Sequence, residues 1–402
     1  MRNLLLFIAS FFMFLSIHNL EALAQDDESS LSVGGAVRYN IILTDYEDGT
    51  INNSDGQFTW DTWRINVNAN RNGIKLNFEY RFYPTFNTHF VKQGWLGYDF
   101  NEKNNLQIGV TQVPFGNLQY NSHNWWFQGP YYVGLEDDHD MGFKFTHTED
   151  NWDFMAAYFF QPEPSGPAYG SASFGSGGTG RYSYDIIPIT GNNAWDYVLG
   201  SNETPQSNFE RNQLNIRGTY TFDLSNGTAE VGASGQVGQI HNSVLDENST
   251  RYALAAHTDI TVGNWNFLGQ VINYGMDAKN DAGQSVDYVY MGAYGDPYPV
   301  ATEMNMYSAG LSYSYDVEWG PITNLNFYND YTYFQKNING YNDAHQHIIG
   351  FLLSAGNVYT YFDIARGNNH PWITQNFGRG LAQGVNDARW NTRFNINIGY
   401  YF

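Results

Sequence analysis

The chain has 402 residues, no Cys, 17% aromatic and only 15% charged side chains, and a formal net charge of -21. That acidity argues against a nucleic-acid partner, the missing Cys excludes a disulfide scaffold or thiolate metal centre, and a mean hydropathy of -0.46 excludes a bundle of membrane helices. Soluble domains carry roughly 25% charged residues. Fewer charges with 31 Tyr, 28 Phe, 11 Trp and 41 Gly point to many short strands whose two faces meet different solvents.

The chain opens with Arg2, an apolar run from Leu4 to Ile17 (LLLFIASFFMFLSI), and Ala22-Leu23-Ala24 before Gln25. Positive start, short apolar core and small-residue cleavage site make residues 1–24 a secretory signal peptide, too short and wrongly flanked for an anchor. Residues 25–402 then form a single domain, with no separate plug ahead of its first strand.

From there alternation persists. About sixteen segments of roughly ten residues each have the length a tilted strand needs to cross a membrane. The first lies near Leu31 to Thr44. The second, Phe58 to Asn70, puts Trp63, Ile65, Val67 and Ala69 on one face and Arg64, Asn66, Asn68 and Asn70 on the other. Asn72-Gly73 supplies a tight hairpin. Ile74, Leu76, Phe78, Tyr80 and Phe82 then continue the apolar face against Lys75, Asn77, Glu79 and Arg81.

Connections alternate in length. Short ones fall near Asn72-Gly73, Asn101 to Asn105, Glu149 to Asn151, Ser225 to Gly227, Gly263-Asn264, Glu318 to Pro321 and Gly356-Asn357. Longer ones fall near Tyr46 to Gly56, Pro84 to His89, Pro114 to His139, Gln161 to Asn208, Asn242 to Thr250, Asp277 to Glu303, Gln335 to Asn342 and Gly367 to Ala388. This is the pattern of an all-β transmembrane antiparallel β-barrel, with tight turns at one rim and loops at the other. Merged or missed strands would move the count to about fourteen or eighteen. Tyr288 to Gly295 is too weakly patterned to say which face meets lipid.

A Lys or Arg on the lipid face costs about 2–4 kcal/mol at mid-membrane. Arg38, Arg64, Lys75, Arg81, Arg217 and Arg393 instead fall in the polar phase, as lumen-wall residues.

The stretch Leu106 to Asp140 stands apart. Leu106, Ile108 and Val110 alternate with Gln107, Gly109 and Thr111. The strand then meets Pro114-Phe115-Gly116, where Pro114 removes a ladder donor and Gly116 permits a sharp turn. About 114–140 is a long aromatic and acidic loop without Lys or Arg. Trp125, Trp126, Phe127, Tyr131 and Tyr132 serve as a stacking track for sugar rings, pack the loop against the inner wall, or sit at a protomer contact. Glu136, Asp137, Asp138 and Asp140 either line a constriction opposite the wall arginines, setting a transverse field, or form a solvated tip. With His139 they offer the carboxylate oxygens Ca²⁺ takes, but lack the glycine and bidentate Glu of a twelve-residue calcium loop. No cofactor is otherwise implied.

Farther on, Gln161 to Asn208 is rich in Pro, Gly, Ser and Tyr and reads as a flexible surface loop. His345 and His347 share one face of a strand, suited to a pore or interfacial position more than to a metal pair. No nucleophile has a base at workable spacing: Ser122-His123-Asn124 is contiguous, which is poor geometry for a relay. The chain is not expected to be an enzyme. In the last strand Phe394, Ile396, Ile398, Tyr400 and Phe402 share one face and Arg393, Asn395, Asn397, Gly399 and Tyr401 the other.

The strand, Pro-Phe-Gly, loop and strand sequence (IGVTQVPFGN … DMGFKFTHT) resembles the porin O/P family, which includes phosphate-selective porins. The terminal amphipathic strand ending in Phe402 resembles the assembly signal of outer-membrane proteins. The resemblance implies an outer-membrane porin, a homotrimer in membrane lipid, whose third extracellular loop folds inward to narrow a passive channel for small polar solutes or ions. Phosphate selectivity needs clustered Arg and Lys. With 19 basic against 40 acidic residues, that specificity is not carried over. The competing readings are a porin specific for phosphate or sugars, a non-conducting barrel acting as a surface adhesin or receptor, and a soluble β-sandwich.

Overall fold

The computed structural model describes residues 29–46, 57–118, 120–166, 180–189, 205–374 and 377–402. The proposed signal peptide and the tip of the first long connection lie outside them.

Sixteen strands close into one antiparallel barrel. The first seven are β1 (Ser30–Thr44), β2 (Gln57–Arg71), β3 (Ile74–Tyr83), β4 (Thr88–Asn101), β5 (Asn104–Gln112), β6 (His139–Glu149) and β7 (Trp152–Pro162). After a short interior strand, β8 (Asp185–Ile186), come β9 (Asn208–Leu224), β10 (Gly227–Asn242), β11 (Glu247–Val262) and β12 (Trp265–Met276). Two more interior strands follow, β13 (Tyr288–Ala293) and β14 (Asp296–Ala301). The wall is completed by β15 (Glu303–Trp319), β16 (Ile322–Lys336), β17 (Ala344–Ala355), β18 (Val358–Asn368) and β19 (Asn391–Tyr401). β1 pairs with β19, Val37 opposite Tyr400, so no edge is left open. Backbone bonds between Gly35 and Phe402 extend that seam (2.9 and 3.1 Å).

Local chemistry explains the turns. Asn72 and Gly73 both have positive φ (53° and 76°), the conformation a two-residue hairpin needs to match strand twist. All seven short connections fall where the sequence puts them. The connection expected from Asn242 to Thr250 is shorter: β10 runs to Asn242 and β11 begins at Glu247, because that stretch pairs as strand.

The two faces of the wall differ as alternation requires. Outward residues such as Phe58, Ile74, Leu96, Ile108, Ile216, Leu254, Val271, Leu311 and Ile364 are exposed large apolar side chains. So wide an apolar belt marks a surface that meets lipid rather than water. Aromatic pairs such as Trp152–Tyr220 and Trp265–Tyr313 sit beside the short turns, with ring centroids 4.7 Å apart in each. His345 and His347 lie on the outward face, where His345 stacks on Tyr333 (5.0 Å) near Trp390. That is an interfacial position.

Inside, the barrel holds a second, smaller core. β14, β13 and β8 form a three-stranded sheet. Pro297 and Pro299 fall on its edge strand, where a missing donor is tolerated. Ile186, Met291, Tyr298 and Val300 are buried with Tyr182, Tyr184, Phe334, Ile373 and Leu381. This corrects two expectations. Tyr288 to Gly295 meets no lipid: it is buried within the barrel, and a segment buried on both faces loses the period of two. Within Gln161 to Asn208, residues 180–189 are not a surface loop, since Tyr182, Tyr184, Ile186 and Ile187 are almost fully buried. The Gly- and Ser-rich part of that connection, 167–179, lies outside the described residues, as do 190–204.

Candidate functional site

The third long connection follows β5 and crosses the lumen. Val113 N–H donates to the Asp138 carbonyl (2.8 Å), which pins the two ends of the loop together. Pro114 then turns the chain, with Phe115 N–H donating to the Val113 carbonyl (3.0 Å). Gly116 N–H reaches Ser234 Oγ (2.8 Å), Asn117 N–H reaches Gln270 Oε1 (2.8 Å), and Arg217 Nε donates to the Gly116 carbonyl (2.8 Å). A Cβ at Gly116 would overlap the Gln270 side chain. Arg217 is therefore buried as an anchor for the loop, flanked by Glu230 (2.8 Å) and Asp153 (3.7 Å).

The far side of the loop is held by β16. Asp330 Oδ2 accepts from the N–H groups of His123 (2.9 Å) and Asn124 (3.2 Å) and from Asn124 Nδ2 (2.6 Å). Asp330 Oδ1 faces His123 Nδ1 at 2.8 Å. His123 Nε2 in turn faces Asn266 Oδ1 (2.7 Å), whose amide is oriented by Asp259 (2.6 Å). Both ring nitrogens thus meet acceptors. Burial works against charge on His123, but the hydrogen bond and charge of Asp330 outweigh it and raise the imidazole above its usual value. Ser122 and His123 form no relay: Ser122 Oγ lies 3.5 Å from Glu136 Oε1 and His123 serves the wall.

The aromatics of the loop pack rather than line an open track. Trp126, Tyr131 and Tyr132 belong to the interior core. Residues Gly129–Val133 form a 3₁₀ turn, after which Gly134 takes φ 69°. A Cβ there would run into the Tyr184 carbonyl, so the turn needs glycine for both conformation and space. Tyr131 donates to the Tyr182 carbonyl (3.0 Å) and Tyr132 to the Trp126 carbonyl (2.8 Å). Trp125 and Phe127 are half-buried against this core.

The acidic run is buried, not a solvated tip. Its members diverge. Glu136 turns back into the loop and accepts from Asn121 N–H (3.0 Å). Burial pushes its carboxyl up to about 8. Asp137 accepts from Lys92 Nζ (2.7 Å), Gln112 Nε2 (2.9 Å) and Tyr182 Oη (2.6 Å). Asp138 and Asp140 point toward the segment carrying Asp185.

Glu136 and His123 tie the loop's stability to pH with the same sign. Both have folded values above their unfolded ones. Their contribution is complete below the unfolded value and is lost as pH rises through the folded one. Single-channel records are therefore expected to show more loop fluctuation as pH climbs from about 4.5 to about 8, the interval over which the Glu136 share is lost. Glu136→Gln keeps the acceptor for Asn121 and should remove the Glu136 share of that rise. An unchanged pH profile in the variant would show that Glu136 does not titrate there.

Opposite the loop stand the basic residues of β1 to β3. Arg38 pairs with Asp61 (3.0 Å). Arg81 pairs closely with Glu79, and Arg64 shares the same carboxylate at 3.6 Å while lying over the Tyr401 ring at 5.1 Å. Arg393 lies 4.4 Å from the Trp126 ring, where wall and loop meet. Lys75 pairs with Asp99 near the short-turn rim. Solvent-accessible surface persists on Arg38, Arg64 and Tyr120, the last a loop residue 41% exposed. Here Arg38, Arg64, Arg81 and Lys92 meet Asp61, Glu79 and Asp137, which leaves one positive charge in excess. The sequence did not single out Tyr120, Asp330 or Lys92. Asp330 in the polar phase of a strand, NDYTYF, carried the only signal for them.

No protein-family model and no curated protein matches the sequence. Solved structures do. The outer membrane channel DcaP of Acinetobacter baumannii is 11% identical, with a TM-score of 0.57 over 94% of this chain and 100% of that one. OmpF of Salmonella typhi, solved with daunomycin, is 12% identical with a TM-score of 0.56 over 94% and 99%. An anion-selective porin from Comamonas acidovorans is 15% identical with a TM-score of 0.54 over 93% and 100%. At such identities the likeness is one of fold, and this chain shares its barrel with proteins described as outer-membrane channels and porins.

Proposed function

We propose that the protein is an outer-membrane porin, a passive diffusion channel for small polar or charged solutes, working as a homotrimer. The observation that carries this is the pairing of an apolar outer belt with a loop clamped across the lumen, beside a strip of partly solvent-exposed side chains, Tyr120, Arg38 and Arg64. Flux follows the solute gradient, and selection comes from the width and charge of that strip. The excess positive charge favours small anions locally, although the chain as a whole is acidic. A solved form of OmpT from Vibrio cholerae is described as a trimer, which supports the same assembly here. Membership of the porin O/P family remains part of this reading, on the Pro114-Phe115-Gly116 turn and its place after the fifth strand.

The test is planar-bilayer recording of the refolded protein in a KCl gradient. Open channels with a modest anion preference are expected. Block by phosphate would make the channel phosphate-specific, and block by a sugar would give it a saccharide site. A folded barrel without conductance would overturn the reading in favour of an adhesin or receptor.

A further inference from the structure

We propose that Asp138, Asp140 and Asp185, with Glu163, bind one Ca²⁺ ion that fastens the root of the lumen loop to the interior sheet. The four residues come from four places: the end of the loop, the start of β6, the first position of β8 and the residue just after β7. One oxygen from each of the three aspartates lies within 4.8 Å of the others. Calcium binds oxygen at about 2.3–2.6 Å, so ligands on opposite sides stand roughly 4.8 Å apart. Magnesium, at about 2.0–2.1 Å, would need a tighter set. With no His or Cys among the donors, the site suits a hard cation.

Unmatched acceptors supply a second observation. Asp138, Asp140 and Glu163 are 4%, 2% and 1% exposed. Yet Asp138 Oδ1, Asp140 Oδ1 and Glu163 Oε2 have no hydrogen-bond partner. Glu163 is held rigidly: its other oxygen accepts from the N–H groups of Tyr182 (3.1 Å) and Ser183 (2.8 Å). It meets Asp185 carboxyl to carboxyl, an arrangement that requires a proton or a cation between the two. Burial, and then Glu163, hold Asp138 and Asp185 well above the usual carboxylate range.

Charge points the same way. Five carboxylates crowd here once Glu210 is included, and among the described residues the guanidinium groups that contact them are those of Arg181 and Arg251. Arg181 Nη1 reaches Asp185 at 3.2 Å, and Arg251 contacts Glu210 closely. A net charge of minus three in a buried volume has only two remedies, protons or a cation. A small cavity beside the cluster is lined by Asp140, Glu210, Arg211, Gln213 and Arg251. Of the acidic run, only Asp138 and Asp140 take part; Glu136 and Asp137 have other partners.

The experiment is calorimetric titration of CaCl₂, and separately MgCl₂, into protein refolded in detergent without lipopolysaccharide and stripped with chelator. One Ca²⁺ per protomer is expected, with weaker Mg²⁺ binding. Affinity should fall as pH drops from about 8 to 6, because protons compete for the carboxylates. Asp185→Asn and Glu163→Gln should each weaken Ca²⁺ at least tenfold. No saturable Ca²⁺ binding by the parent protein would overturn the proposal, as would undiminished binding in both variants. Should a variant fail to refold, the parent still decides: titration in two buffers of different ionisation enthalpy must show protons released on binding, and none released would count against the site. Channel recordings do not enter this test, so it stands or falls apart from the porin reading.

Discussion

Asp330→Ala is expected to raise single-channel conductance, with the barrel still folded. Asp330 fastens the lumen loop to β16, and it accepts from His123 and Asn124 through both oxygens. Hydrogen bonds to a charged group contribute about 1.5–3 kcal/mol each, and breaking a buried pair costs about 3–5 kcal/mol. That loss falls on a loop still tied to the wall at Gly116 and Asn117 and, beyond His123, at Phe127 through Gln346 and at Gln128 and Gly129 through Thr332. The barrel's strands pair without Asp330, so its heat-resistant migration on a gel should persist. The segment at His123 and Asn124 should loosen and expose His123. Conductance that stays at the parent value in a folded variant would show that the loop does not set the width.

Arg64→Glu should move the reversal potential toward cations. Arg64 shares Glu79 with Arg81 and so supplies the positive excess of the partly exposed strip. Substitution changes the local charge by two. Unit charges at about 4 Å interact by about 1 kcal/mol in water. A shift of about 1.4 kcal/mol is tenfold in relative permeability, so a two-unit change worth about 2 kcal/mol should lower the anion-to-cation ratio by more than tenfold at low salt. It should shrink near 1 M salt, where screening reaches about 3 Å. A reversal potential that does not move would place the selecting charge elsewhere, and Arg38 would be next.

The wall of this protein was legible because one physical rule governs it. Each strand separates lipid from lumen, so Trp63, Ile65 and Val67 alternate with Arg64, Asn66 and Asn68 with little noise. Turn positions were equally clear, since Asn72-Gly73 and Gly263-Asn264 carry the conformations that hairpins demand. The contents of the lumen were not. Residues of β13 are buried on both faces, and its partner Ile186 is about a hundred positions away in a stretch of Ser, Gly and Tyr. No local period marks such pairing. Acidic clusters mislead for a related reason. Glu136, Asp137 and Asp138 are consecutive in sequence, yet backbone geometry sends them to a loop amide, a wall lysine and an interior strand.

The interior sheet has a consequence for how this protein can change over time. Long connections on a barrel are usually its most variable parts, because little packs against them. Here Tyr182, Tyr184, Met291 and Tyr298 belong to connections yet are buried like core residues. Substitutions among them leave voids or unmet hydroxyls of the kind that destabilise any globular domain. Freedom to diversify is thus confined to stretches outside that sheet, and the rest of each connection is inherited with the constraint of a hydrophobic core.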